Sequence, residues 1–142
     1  MAWEKELSLS AELYGQAGSG ATTILKTPVI DMVDAESVLF LGAATVTSTA
    51  QWLKFRMSTA SASGGMSDAT GQVDHTATGL LYLDVYRPIK RFVQGIFTAS
   101  GASSPARFVG AVKYGMRSQP STQPAGTTGL RVYSPGSGTA TG

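Results

Sequence analysis

The sequence predicts an all-β chain: an antiparallel β-sandwich or jelly roll with extended N- and C-terminal arms. Three observations carry that expectation. Helical periodicity is nearly absent from the 142 residues. Gly, Thr and Ser punctuate the chain every few residues, with β-branched and aromatic residues between them. Several short runs alternate apolar and polar with period two, as half-buried strands do. A chain of this length is most simply one domain and can bury a core without staples. The expected organisation is an N-terminal strand and Gly-rich linker over 1–20, a sandwich core over 21–117 and an extended arm over 118–142.

The elements follow in order. Glu6 to Tyr14 alternates strictly and reads as a half-buried strand. Thr22 to Lys26 and Val29 to Val33 are short strands split at Pro28, which cannot donate to a ladder. Val38 to Gly42 is a continuous apolar run, as expected of a central strand. Trp52 to Met57 alternates again. The stretch TASASGGMSDATG, 59–71, reads as a loop by composition. Gly79 to Tyr86, Phe92 to Ala99 and Arg107 to Tyr114 complete the set, about eight strands in all. Trp52, Phe55, Leu39, Leu41, Leu81, Leu83, Phe92, Phe97 and Val109 are expected to be structural, with their facing left open.

Between two of these strands lies LDVYRPIKRFVQG, residues 83–95, with Arg87, Lys90 and Arg91 flanking Pro88. Pro88 blocks ladder pairing, so Arg87 to Lys90 is most simply a hairpin turn. A nucleic-acid site would want more basic residues and aromatics spaced to stack bases. Nearby acids, including Asp84, dilute the field. The expectation is no nucleic-acid partner. Basic side chains at a strand end instead suit pairing with acids of a neighbouring subunit.

Other constellations are weak. Gly15 to Thr22 imitates a phosphate-binding loop, but Ala21 stands where the lysine belongs and a strand pattern follows instead of a helix. Asp31, Asp34 and Glu36 lie close together without calcium-loop spacing, and a turn before a buried strand commonly carries acids. Asp74 and His75 offer an acid–base pair with no nucleophile elbow to serve. With no cysteine and one histidine, a Cys/His zinc site is nearly excluded. No catalytic residue, cofactor, metal or small-molecule substrate is expected. The first residues lack the apolar segment of a signal peptide, and no apolar run approaches the roughly 18–20 residues that span a bilayer.

Charge is sparse and asymmetric. Charged residues make up 14% of the chain, against roughly 25% in soluble domains. Residues 1–36 carry net −4 and the remainder net +6. A charge-poor surface suits a protein covered by neighbours, and opposite signs suit contacts between copies or with a partner.

The order of elements resembles the small jelly-roll capsid decoration, or cement, proteins of tailed bacteriophages. The resemblance covers roughly residues 29–120. It rests on the buried strand Val38–Gly42, the strand Trp52–Ser58, the Ser/Gly/Asp loop, the turn Tyr86-Arg87-x-x-Lys90-Arg91-Phe92-Val93, and Val109-Gly110-Ala111-Val112 running into a Pro-containing tail. Pro88 departs from the small residue usual in such turns, and the tail is longer and richer in Gly, Ser and Thr. The resemblance implies a non-enzymatic virion component on the outer surface of the head. Such proteins often stand as homotrimers at local threefold positions and bridge neighbouring major capsid proteins against the pressure of packaged DNA. Expected partner contacts are Trp3, Glu4 and Glu6 in the N-terminal segment, then Arg87, Lys90, Arg91 and Arg117. Leu130, Arg131 and Tyr133 in the tail complete them. Two other readings stay open: a carbohydrate-binding sandwich in which Trp3, Trp52 and tyrosines stack sugars, and a tail or adaptor component of a virion.

Overall fold

The computed structural model describes residues 11–17, 24–44, 50–61, 63–100 and 108–117. They form nine strands and one short 3-10 turn, Ser63–Gly65. The strands are β1 Ala11–Ala17, β2 Ile24–Lys26, β3 Ile30–Asp31, β4 Ala35–Ala44, β5 Ala50–Ser58, β6 Ser67–His75, β7 Gly79–Tyr86, β8 Phe92–Ser100 and β9 Phe108–Met116. One sheet runs β1-β9-β4-β7; the other runs β2-β8-β5-β6, with β3 also on β8. Every pairing is antiparallel. With β2 and β3 taken as one interrupted strand, the chain winds between the two sheets as a jelly roll does.

The core lies between the sheets. Val38 and Phe40 of β4, Leu81 and Val85 of β7, and Val109 and Ala111 of β9 face Leu25, Leu53, Val93 and Phe97 of the second sheet. Phe40 and Phe55 stack with centroids 6.2 Å apart. Pro28 separates β2 from β3 as its missing N–H requires. Thr27 holds the gap: its N–H donates to the Gly95 carbonyl at 2.9 Å, and its hydroxyl accepts from the Gly95 N–H at 3.0 Å. Gln94 Nε2 adds a bond to the Thr27 carbonyl at 2.8 Å.

Several expectations change. The stretch 59–71 is only partly a loop, because β6 begins at Ser67 and pairs along β5. Its composition hid it: β6 is an edge strand with few apolar residues. Asp68 anchors it through Lys54 at 2.6 Å and Arg56 at 2.8 Å, across a register shift in β5. The residues between Tyr86 and Phe92 are not a hairpin turn. β7 and β8 belong to different sheets, so this segment is an arch that carries the chain over the end of the sandwich. Gly15, Gln16 and Ala17, expected in a linker, complete β1.

Candidate functional site

The two outer faces of the sandwich differ in kind. Antiparallel register places residues of the first sheet in cross-strand rows. One row is Ala17, Phe108, Ala43, Leu80; the next is Gly15, Gly110, Leu41, Tyr82. A third is Leu13, Val112, Leu39, Asp84, and a fourth holds Tyr114, Ser37 and Tyr86. All of these lie on the side away from the core. Asp84 is the one charged residue in the four rows, and it accepts a 2.7 Å bond from the Tyr114 hydroxyl. Leu80, Tyr82 and Tyr86 are 79%, 69% and 64% exposed. The ring of Phe108 lies over Gly110 and Gly15, where no side chain intervenes. The second sheet's outer face is mixed, with charges among its apolar residues: its outward rows carry Lys26, Ile96, Lys54 and Gln72, then Gln94, Arg56 and Asp68, then Ile24, Thr98, Trp52 and Asp74.

This resolves the apolar run in β4. Val38, Phe40 and Gly42 point into the core, whereas Leu39, Leu41 and Ala43 belong to the apolar outer face. A run apolar on both sides signals a strand covered on both faces. Leu81, Leu83, Phe55, Phe97 and Val109 face inward, while Trp52 and Phe92 lie half-buried on the outside of the second sheet.

A second feature occupies the end of the sandwich where the arch lies. A groove of about 390 Å³ is bounded by the Met32–Glu36 turn, the arch residues Arg87 to Arg91, and Arg117 beyond β9. Four cationic side chains line it, Arg87, Lys90, Arg91 and Arg117, with Glu36 as the acid. Arg117 is separated by 26 positions from Arg91, and only the fold brings it to the arch.

The arch is fastened to its own chain. Arg87 adopts a left-handed φ of 49°, rare for a non-glycine residue. Its N–H donates to the Glu36 carbonyl at 2.8 Å and its guanidinium to Glu36 Oε1 at 2.9 Å. Arg91 grips Asp31 with two bonds, Nε to Oδ1 at 2.8 Å and an Nη to Oδ2 at 2.7 Å. Each guanidinium also covers a ring, Arg87 over Tyr86 and Arg91 over Phe92. The Arg91 hydrogen bonds hold the Asp31 carboxyl below its ordinary pKa and, reciprocally, raise that of Arg91. The Arg117 N–H donates to the Asp34 carbonyl at 2.6 Å.

Behind the turn sits an ion cluster that the sequence did not announce. Lys113 of β9 points inward, and its ammonium reaches Glu12 of β1 and Asp34, both at 2.9 Å, and the Asp31 carbonyl at 3.2 Å. Burial alone pushes the Lys113 pKa down, but hydrogen bonds to Glu12 and Asp34 together leave it raised. The acidic early segment and basic later segment thus meet within one chain: Asp31 with Arg91, Asp34 with Lys113, Glu36 with Arg87. Among the described residues no group of three or more His, Asp or Glu converges as a metal site. Asp74 and His75, being consecutive in β6, point to opposite faces and do not form an acid–base pair. Asp74 accepts from Gln72 on the outside, while His75 lines a gap at the open edge between β6 and β7. Of the expected partner contacts, Trp3, Glu4, Glu6, Leu130, Arg131 and Tyr133 lie outside the described residues.

No family model and no curated protein sequence matches this chain. Among solved structures, the crystal structure of PBSX exported protein XepA is similar, with a TM-score of 0.55 and 19% sequence identity. The likeness covers 92% of this chain and 45% of that one. This chain therefore spans less than half the length of that neighbour. At this identity the shared property is the fold alone.

Proposed function

We propose that this chain is a non-enzymatic phage virion protein that decorates the outer surface of the head. It docks the apolar face of the β1-β9-β4-β7 sheet on the major capsid protein, and it does so as a homotrimer bridging adjacent capsomers. The observation that carries this reading is the contrast between the two outer faces. At strand spacings of about 4.8 Å and a rise of about 3.3 Å per residue, the apolar face measures roughly 500 Å². A patch of this size is about the largest that a typical monomer exposes, and such patches are often functional. A standard interface takes roughly 800 Å² per partner, so this face supplies much of one. The fold shared with XepA, an exported protein of the phage PBSX, supports a phage setting. A stiff β-sandwich of two packed antiparallel sheets suits a clamp.

The test is co-sedimentation with expanded capsids of the parent phage. Saturable binding of the native chain, lost in a Leu80→Ser/Tyr82→Ser variant that still folds, is the expected result. Failure of the native chain to bind, or undiminished binding of the variant, overturns the reading.

A further inference from the structure

We infer that the groove between the Met32–Glu36 turn and the Arg87–Arg91 arch is a second docking site, built for an acidic chain segment that carries an apolar residue. The inference stands apart from the capsid reading, because it uses a different surface and needs no particular partner protein.

Charge comes first. The chain has 11 basic residues, and four of them line this one groove against a single lining carboxylate. Arg87 and Arg91 are already engaged by Glu36 and Asp31, which fixes their positions. Lys90 and Arg117 line the groove and have no ion pair among the described residues. Apolar surface stands beside them. Ile89 at the crest of the arch is 86% exposed, and Val33 on the opposite wall is 57% exposed. A groove with paired cations and two uncovered aliphatic walls matches carboxylates interleaved with an aliphatic side chain.

Two further features narrow the ligand. Among the described residues no aromatic ring lines the groove to stack a base, and a single-stranded nucleic acid is the poorer fit. The wall is also pre-set. Arg87 is held in its left-handed conformation by both a backbone and a side-chain bond to Glu36. Strain of this kind collects where surrounding structure fixes a site in advance, and a pre-formed wall lowers the ordering cost of binding.

The experiment uses the full chain and fluorescence polarisation. The probe is a fluorescein-labelled, end-capped octapeptide of alternating Glu and Leu. A Lys/Leu octapeptide and an octathymidylate strand serve as comparisons. Saturable binding of the Glu/Leu peptide is expected, weakened when NaCl rises from roughly 50 to roughly 300 mM as screening requires. A Lys90→Glu/Arg117→Glu variant is expected to bind about tenfold more weakly or worse, a loss of about 1.4 kcal/mol or more. Should that variant melt early, Lys90→Ala/Arg117→Ala replaces it and the same loss is expected. The Leu80→Ser/Tyr82→Ser variant is expected to bind the peptide as the native chain does, which separates this site from the apolar face. Absence of saturable binding, indifference to the charge changes, or tighter binding of the oligonucleotide overturns the inference.

Discussion

Phe40 lies flat against Gly95 across the core. A Cβ at Gly95 would stand 2.9 Å from Phe40 Cε1 and closer still to Cδ1, so the ring occupies the space a side chain would take. The relation is mirrored from the other sheet, where Phe97 lies against Gly42 at 3.1 Å from an ideal Cβ. Each sheet thus sets a ring on a glycine of its opposite, which brings the two sheets close at the centre. Gly95→Ala is expected to cost about 1–3 kcal/mol through overpacking. Chemical denaturation would measure it, and a Phe40→Leu second change should recover part of the loss. Full stability of Gly95→Ala alone would refute the packing argument.

The Lys113 cluster makes a second prediction. Lys113 and Glu12 are almost wholly buried, at 4% and 8% exposure. Removing one partner strands the other's charge, so Lys113→Met is expected to destabilise by about 3–5 kcal/mol. Lys113→Met with Glu12→Gln should cost much less than the sum of the two single changes. Additivity in that double-mutant cycle would mean the pair is not coupled.

Stability should fall at both ends of the pH scale. Asp31, through the Arg91 hydrogen bonds, and Asp68, through the Lys54 hydrogen bond, titrate below the ordinary carboxylate range. Their contribution is present above an unfolded value of about 3.9 and is lost as pH falls through the folded one. Tyr14 is pushed up by burial and by its 2.7 Å bond to Glu12, and Lys113 is also raised. Their contribution is present below about pH 10 and is lost as pH rises through the folded values. Thermal melts across pH should show both limbs, and Asp31→Asn should flatten the acid one. An unaltered acid limb in that variant would assign the loss to other carboxylates.

Arg87 offers a backbone test. Its φ of 49° favours glycine, while its guanidinium pairs with Glu36. Both Arg87→Gly and Arg87→Ala lose that pair, but only alanine keeps the left-handed penalty. Arg87→Ala is therefore expected to be less stable than Arg87→Gly by about 1–2 kcal/mol. Equal melting temperatures would indicate that the arch relaxes out of this conformation.

On the apolar face, Leu80→Ser/Tyr82→Ser should leave stability within about 0.5 kcal/mol, because these residues are exposed and pack against no core. Calorimetry would check it. A large loss would show that the face helps hold the sandwich together.

What the sequence determined by itself is the all-β class and most of the strands, because alternation and turn residues are local signals. β5 and β7 lie close to where the period-two pattern places them, β4 spans its continuous apolar run, β8 matches the expected Phe92–Ala99 strand, and Pro28 breaks the early strand as its chemistry demands. β6 escaped notice because an edge strand needs little apolar content when ion pairs to β5 hold it. The tertiary structure alone decided which strands share a sheet. That choice turned the Arg87–Arg91 segment from a hairpin into an arch and drew Arg117 into its groove. It matched the acids of residues 31–36 with cations far along the chain. It also sorted the apolar residues of β4 and β7 between a core and an outer face. Strand periodicity fixes that successive residues point to opposite sides, but only packing of one sheet on the other decides which side is covered.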